Sequence, residues 1–354
     1  MLFLIILIIA VLLTYLIIVF ASKTKFLLRQ EDLIGVQKFH TQLVARIGGI
    51  PVFISFFFGI FLYLERDTAL LLLLVSIPVF FGGLIEDILS RVSPSSRMVT
   101  TLISVAAAFI FLDIRISFLG FAVIDSVLSN YIIISLIFTL FIVGGLINAI
   151  NIIDGYNGLA LGYSILVLLA MAYVANTLGD DLVLQLSLML ISSLFGLFLF
   201  NFPFGKIFMG DGGAYFIGFM LSVIGLMLGI RNDEVSHWFI LLLFIYPLYE
   251  TAFSIYRKRI VRGVPISQPD GYHLHMLIYK RVVKCKTFKN NKIMCNSMTS
   301  PFLWALSLVG IIPAVVWYND QTMLIILAFI FMATYTIIYR RIVHFKFKFK
   351  KLLL

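Results

Sequence analysis

The feature that most constrains this chain is the recurrence of apolar runs about as long as a bilayer is thick. A helix needs roughly 20 predominantly apolar residues to cross a hydrocarbon core, and such runs follow one another from end to end. Eleven candidate spans are expected, near 2–20, 48–64, 69–85, 99–112, 131–150, 159–176, 182–200, 214–230, 237–256, 301–318 and 322–339. They leave no room for a separate soluble domain. Composition agrees: 62% of the 354 residues are hydrophobic and only 12% charged, where an ordinary globular domain carries about 25% charge. The expected fold is all-α, a single polytopic membrane domain over 1–354. The first run lacks a basic leader and a small-residue cleavage site, so it is expected to be a retained helix.

Lysines and arginines set the expected orientation, because basic residues stay on the cytoplasmic side. With these spans, 24 of the 27 basic residues fall on one side. Only Arg66, Arg115 and Arg231 fall on the other. The N-terminus is therefore expected outside and the C-terminus in the cytoplasm. The net charge of +10 follows from this topology and from attraction to anionic lipid headgroups; it does not call for nucleic acid. Cys285 and Cys295 fall in a basic cytoplasmic loop and are expected to be unpaired, with no zinc-ligand spacing around them.

Polar residues interrupt this apolar chain at four places, all expected on the cytoplasmic side. "FGGLIEDILSRVSPSSR" places Glu86 and Asp87 at the end of the third span, with Arg91 and Arg97 beyond. "LINAINIIDGYNGLA" sets Asn148, Asn151 and Asp154 at i, i+3 spacing on one helical face, followed by Gly155, Asn157 and Gly158 as turn formers. "NFPFGKIFMGDGGAYFIGF" puts Asp211 among Gly210, Gly212 and Gly213. "PDGYHLHMLIYKR" carries Asp270, His273 and His275 ahead of Lys280 and Arg281. An active-site face is expected from the loops 21–47, 86–98, 151–158, 201–213 and 257–300.

Carboxylates without thiols suit a hard cation such as magnesium, which is often shared with substrate phosphates. Glycines beside Asp211 let backbone amides approach phosphate oxygens, and arginine and histidine neutralise charge on a transferring phosphoryl group. The parts fit phosphoryl transfer at a membrane surface. Each also has a plainer reading: Glu86–Asp87 as a solvated helix end, the asparagines as interhelical hydrogen-bonding groups, Asp211 as a helix cap, the histidines as loop residues. Their occurrence together on one side favours a site.

At this point the motifs resemble those of the polyprenyl-phosphate N-acetylhexosamine-1-phosphate transferases, the family that includes the phospho-N-acetylmuramoyl-pentapeptide transferases. "NAINIIDGYNGLA" is similar to the family's NxxNxxDGxxGL and "FMGDGGAYFIG" to its FMGDxGS/A segment. The resemblance covers nearly the whole chain and lies closer to the hexosamine branch through "HLHMLIYKR". It implies attack by a polyprenyl phosphate, usually undecaprenyl phosphate, on the β-phosphorus of a UDP-sugar, giving polyprenyl-diphospho-sugar and UMP.

The resemblance also implies residue roles. Asp211 is the expected principal Mg2+ ligand, with Asp87 supporting the metal and Mn2+ able to substitute. Glu86 and Asp87 would activate the lipid phosphate, and Asn151 and Asp154, with Asn148 and Asn157, would hold the nucleotide-sugar side. Asn201 and Phe208 would contact the nucleotide, Phe208 as a platform for uracil. His273 and His275 would meet the diphosphate, Arg46 would contact substrate, and Arg91 and Arg97 are phosphate candidates. Direct attack and a phospho-carboxylate intermediate both stay open, as does a homodimer.

Three departures stand out. The family's aspartate pair is Glu86–Asp87 here, Met276 replaces a further histidine, and "HTQLVARIGGIPVF" lacks the prolines before its Gly-Gly. The competing functional classes are a transporter of a nucleotide-sugar or lipid-linked precursor, whose key residues would sit near the bilayer midplane, and a non-catalytic relative.

Overall fold

The computed structural model describes residues 1–24, 44–89, 93–265, 271–283, 285–288 and 291–344. Among them the architecture is entirely helical. In chain order the helices are α1 Leu2–Thr24, α2 Gly49–Tyr63, α3 Arg66–Leu89, α4 Pro94–Phe111, α5 Ala122–Asn130, α6 Ile132–Ile153, α7 Leu159–Leu178, α8 Asp181–Asn201 and α9 Gly210–Arg231. They continue as α10 His237–Leu243, α11 Ile245–Tyr256, α12 Leu274–Arg281, α13 Lys292–Ser297, α14 Ser300–Val316 and α15 Gln321–Val343.

All eleven expected spans are helical, but they are not eleven equal crossings. Among the described residues nine helices are long and apolar enough to cross a membrane, or ten if α10 and the helix beyond it count as one broken span. The remaining expected span, α2, has 15 residues; at about 1.5 Å per residue it falls short of a hydrocarbon core about 30 Å thick. The short, largely exposed α5 was not expected at all.

Burial sorts the helices by position. α9 is buried along nearly its whole length and forms the axis of the bundle, with α3 and α6 packed closely along it. α1 buries only a stripe containing Ile6, Ala10 and Thr14, the i, i+4 spacing of one helix face, and turns the rest toward lipid. At the α3–α9 crossing a Cβ on Gly83 would stand 2.5 Å from Gly212 N. Only glycine lets the two backbones approach so closely.

Prolines break backbone hydrogen bonds, which in lipid must be replaced. Next to Pro78 in α3, the amide of Val79 donates to Ser104 Oγ of α4 at 2.9 Å. Pro247 has no N–H for the carbonyl of Leu243 four residues earlier, and the Tyr163 hydroxyl donates to that carbonyl instead, at 2.7 Å. There α10 and the helix running through α11 to Val261 bend by 69°.

Candidate active site

The polar face is organised around the start of α9. Two strands of chain, residues 45–49 and 208–209, are tied by Phe208 N to Ala45 O, Gly48 N to Phe208 O and Gly49 N to Met209 O, each at 2.9 Å. Gly210 follows with φ +77, and a Cβ there would collide with the Arg46 carbonyl oxygen. The tie carries Arg46 over the first turn of α9. Its Nη2 lies 3.4 Å from Asp211 Oδ1, while Arg97 Nη1, from the first turn of α4, lies 2.5 Å from Oδ2.

Asp211 does not cap its own helix. The orphan amides of α9 are taken by Asp87 of α3, whose Oδ1 accepts from Asp211 N at 2.9 Å and Oδ2 from Gly212 N at 2.8 Å. A carboxylate there also faces the positive end of the α9 dipole. Asp87 thus fixes where Asp211 points. Glu86, half-buried next to it, interacts electrostatically with Arg97.

The turn between α6 and α7 closes the site. Asp154 lies within electrostatic reach of both Arg46 and Asp211, and burial pushes its carboxyl up to about 7 against the pull of Arg46. Asn151, one turn earlier, hydrogen-bonds the Tyr215 hydroxyl of α9. His273 and His275 stack with ring centroids 5.2 Å apart and planes within 8°. A Cβ on Gly155, next to Asp154, would meet His275 Nε2 at 3.6 Å. Burial holds the His275 imidazole down at about 3, so it is neutral at physiological pH.

Arg46, Glu86, Asp87, Arg97, Asn151, Asp154, Asp211, His273 and His275 therefore converge. Other candidate residues stand differently. Asn201 spends its amide on backbone: Oδ1 accepts from Gly158 N at 2.6 Å and Nδ2 donates to Ile207 O at 2.7 Å. Asn157 joins the α6–α7 turn to α13 and the start of α14, donating from its backbone amide to Asn296 Oδ1 and from Nδ2 to Ser297 Oγ, while its carbonyl accepts from Ser300 Oγ. Both tie the α6–α7 turn to neighbouring segments. Asn148 is exposed on α6 and bonds back to the Gly144 carbonyl. The Phe208 ring is half-buried on the tied segment. Arg91 and Asp270 lie outside the described residues.

Two findings go beyond the expectations. Cys285 and Cys295, expected to be unpaired, are joined with Cα atoms 5.4 Å apart, because the 3-10 turn Cys285–Phe288 folds back onto α13. Glu250 was missed. It is buried in α11 and accepts from His273 Nδ1 at 3.0 Å, Leu274 N at 3.0 Å and the Tyr335 hydroxyl at 2.8 Å. The signal was present: an ionisable residue inside an expected span is functional or paired.

The donors available for a cation are hard oxygens. No three His, Cys, Asp or Glu side chains among the described residues gather closely enough to cage a metal. Magnesium does not require a cage, since it keeps waters and commonly takes one or two carboxylates together with substrate phosphates. Asp211, with Asp154 near it, fits that pattern.

The sequence profile of glycosyl transferase family 4 matches residues 69–229. The chain is 30% identical over 280 residues to the undecaprenyl-phosphate alpha-N-acetylglucosaminyl 1-phosphate transferase of Thermotoga maritima, covering 79% of this chain and 82% of that protein. It is 33% identical over 245 residues to the probable undecaprenyl-phosphate N-acetylglucosaminyl 1-phosphate transferase of Bacillus subtilis, covering 68% of this chain and 66% of that one. A phospho-N-acetylmuramoyl-pentapeptide-transferase of Streptococcus equi subsp. zooepidemicus matches over 183 residues at 33% identity, covering 49% of this chain and 51% of that protein. The chain belongs to glycosyl transferase family 4, the polyprenyl-phosphate sugar-1-phosphate transferases.

Proposed function

We propose that the protein transfers an N-acetylhexosamine-1-phosphate from a UDP-sugar to undecaprenyl phosphate. An oxygen of the lipid phosphate attacks the β-phosphorus, the bond from that phosphorus to the bridging oxygen breaks, and UMP leaves with the electron pair. The product, undecaprenyl-diphospho-sugar, would start a lipid-linked surface glycan such as an O-antigen or capsule. The observation that carries the reading is the meeting of Arg46, Arg97 and Asp154 around Asp211 at the start of one buried helix, with His275 against the turn that follows Asp154.

Asp211, with Asp154 near it and Asp87 behind it, would hold Mg2+, and the ion would neutralise charge on the diphosphate. Arg46 and Arg97 bring two guanidinium groups to the same place, suited to phosphate oxygens in the transition state. Neutral His275 lies against the Asp154–Gly155 turn with His273 stacked beside it, and the pair would line the diphosphate. We favour direct attack by the lipid phosphate. Both Asp87 oxygens accept backbone N–H groups, which hold the carboxylate against the start of α9. The same oxygens orient Asp211, a sufficient role for Asp87.

We infer that the site faces the cytoplasm of a bacterial inner membrane, because the basic residues crowd that side. The test is UMP release by purified protein given undecaprenyl phosphate, magnesium and a panel of UDP-N-acetylhexosamines. Release with one donor, dependent on lipid and stopped reversibly by chelator, is expected. Folded protein that releases nothing across the panel would return the transporter reading to first place.

A further inference from the structure

We propose that Glu250 is a positioning residue for the transfer reaction: its buried carboxylate fixes the His273 ring and, through the ring stack, sets His275 against the Asp154–Gly155 turn. The inference rests on the transfer reading above and adds a residue to it. A carboxylate in the middle of an apolar helix is costly unless its oxygens are matched by donors. Glu250 has three, and two of them, His273 Nδ1 and Leu274 N, come from the histidine segment. The third, the Tyr335 hydroxyl, anchors the carboxylate to α15.

The bond also selects a tautomer. With a carboxylate at Nδ1, that nitrogen carries a proton and Nε2 is directed to the other side of the ring, the arrangement by which an acidic partner orients a working histidine.

The rest of the same helix face supports this purpose. Ser254 and Arg257 follow Glu250 at i+4 and i+7. Arg257 Nη1 donates to the Tyr272 carbonyl at 2.8 Å and to the Tyr339 hydroxyl at 3.2 Å, and Nη2 to Ser254 Oγ at 3.2 Å. The Tyr339 hydroxyl itself donates to the Tyr272 carbonyl at 3.1 Å. Residues 272–274 are thus clamped from α11 and α15 just where the chain enters α12. The bend at Pro247, with Tyr163 supplying the missing donor to Leu243, lies one turn before Glu250 and determines how this face is presented.

A helix-packing role would account for the Tyr335 bond but not for two donors from 273–274, and a double-mutant cycle separates the two roles. Glu250→Gln keeps the volume and removes the charge. It is expected to lower kcat about 10- to 100-fold, the range for partners that orient a histidine, with KM for the UDP-sugar within about 2-fold; Glu250→Asp should recover part of the loss. His273→Gln should lower kcat too, and the double variant should be no slower than His273→Gln alone. Tyr335→Phe, which removes only the α15 anchor, should cost far less turnover than Glu250→Gln. Losses that multiply in the double variant, a Glu250→Gln enzyme as fast as wild type, or equal losses from Tyr335→Phe would each overturn the proposal. If Glu250→Gln does not accumulate folded, the same cycle is run with Glu250→Asp. Wild type silent with every donor would overturn the transfer reading, whereas active wild type with multiplying losses would overturn Glu250 alone.

Discussion

Asp180 and Asp154 are both aspartates at the junction of two membrane-spanning helices, yet their surroundings treat charge in opposite ways. Asp180, between α7 and α8, accepts from Arg231 Nε at 2.9 Å, from Asn232 Nδ2 at 2.9 Å and from Val183 N at 3.3 Å. Burial pushes its carboxyl up, but these bonds and the Arg231 charge outweigh it and hold it below the usual carboxylate range. Asp154, between α6 and α7, is half-buried near another carboxylate, and desolvation pushes it up to about 7. A junction that serves stability completes its hydrogen bonds within the chain. The Asp154 junction, at the proposed site, leaves its charge incompletely matched within the chain.

The largest expected effect that tests this contrast is on turnover. Asp211→Asn and Asp154→Asn should each lower UMP release roughly 1,000-fold or more, because each removes an oxygen charge that organises the transferring group. Asp180→Asn should leave turnover within about 2-fold while lowering stability by about 1–2 kcal/mol, the cost of weakening a charge-assisted network. Thermal midpoints in detergent read alongside initial rates check both halves. Loss of turnover in Asp180→Asn without loss of stability would break the comparison.

Asp87 lies between the two cases, because both its oxygens accept N–H groups of the chain, as those of Asp180 do, yet it orients a residue of the proposed site. Asp87→Asn keeps one acceptor for the α9 amides and loses the other, so it should cost about 1 kcal/mol of stability and also lower turnover by misplacing Asp211. An Asp87→Asn protein as stable as wild type but inactive would instead give Asp87 a direct chemical role.

A pH measurement sharpens the same contrast. His275 is buried and held neutral down to about 3 from an ordinary 6.5, chiefly by burial, with His273 and Arg257 acting in the same direction and Glu250 opposing. Between about 3 and 6.5 the unfolded chain binds the extra proton and the folded chain does not, so stability rises with pH across that window. His275→Gln should flatten that part of the profile. An unchanged slope in the thermal midpoint from pH 6.5 to 4.5 would assign the acid sensitivity to other groups.

The apolar runs made the helices legible, because roughly 20 greasy residues allow few alternatives in a membrane. They could not show that α2 stops short or that the ninth span bends by 69°, since both depend on packing and on whether a hydroxyl such as that of Tyr163 lies where Pro247 needs one. The carboxylates of the site were legible for the same reason Glu250 should have been: charge inside an apolar chain needs a partner. Amides were not. Asn151 and Asn201 are the same residue type in similar motifs, but one reaches Tyr215 and the other bonds Gly158 N and Ile207 O. Residue type says that an amide will bond, and only the fold says to what.

The smallest effect concerns Glu86, where the family's paired aspartates become Glu-Asp. The extra methylene falls on the member of the pair that does not hold the α9 amides, since Asp87 does that with both oxygens. Glu86 is half-buried beside Arg97 and acts on it through charge, an interaction that tolerates a change in arm length better than a hydrogen bond does. Glu86→Asp should therefore keep kcat/KM within about 3-fold, whereas Glu86→Gln, which removes the charge and leaves Arg97 to Asp211, should lower it further. A complete loss in Glu86→Asp would mean that the longer arm reaches a reacting group, and it would move Glu86 from the electrostatic surroundings of Arg97 into the chemistry itself.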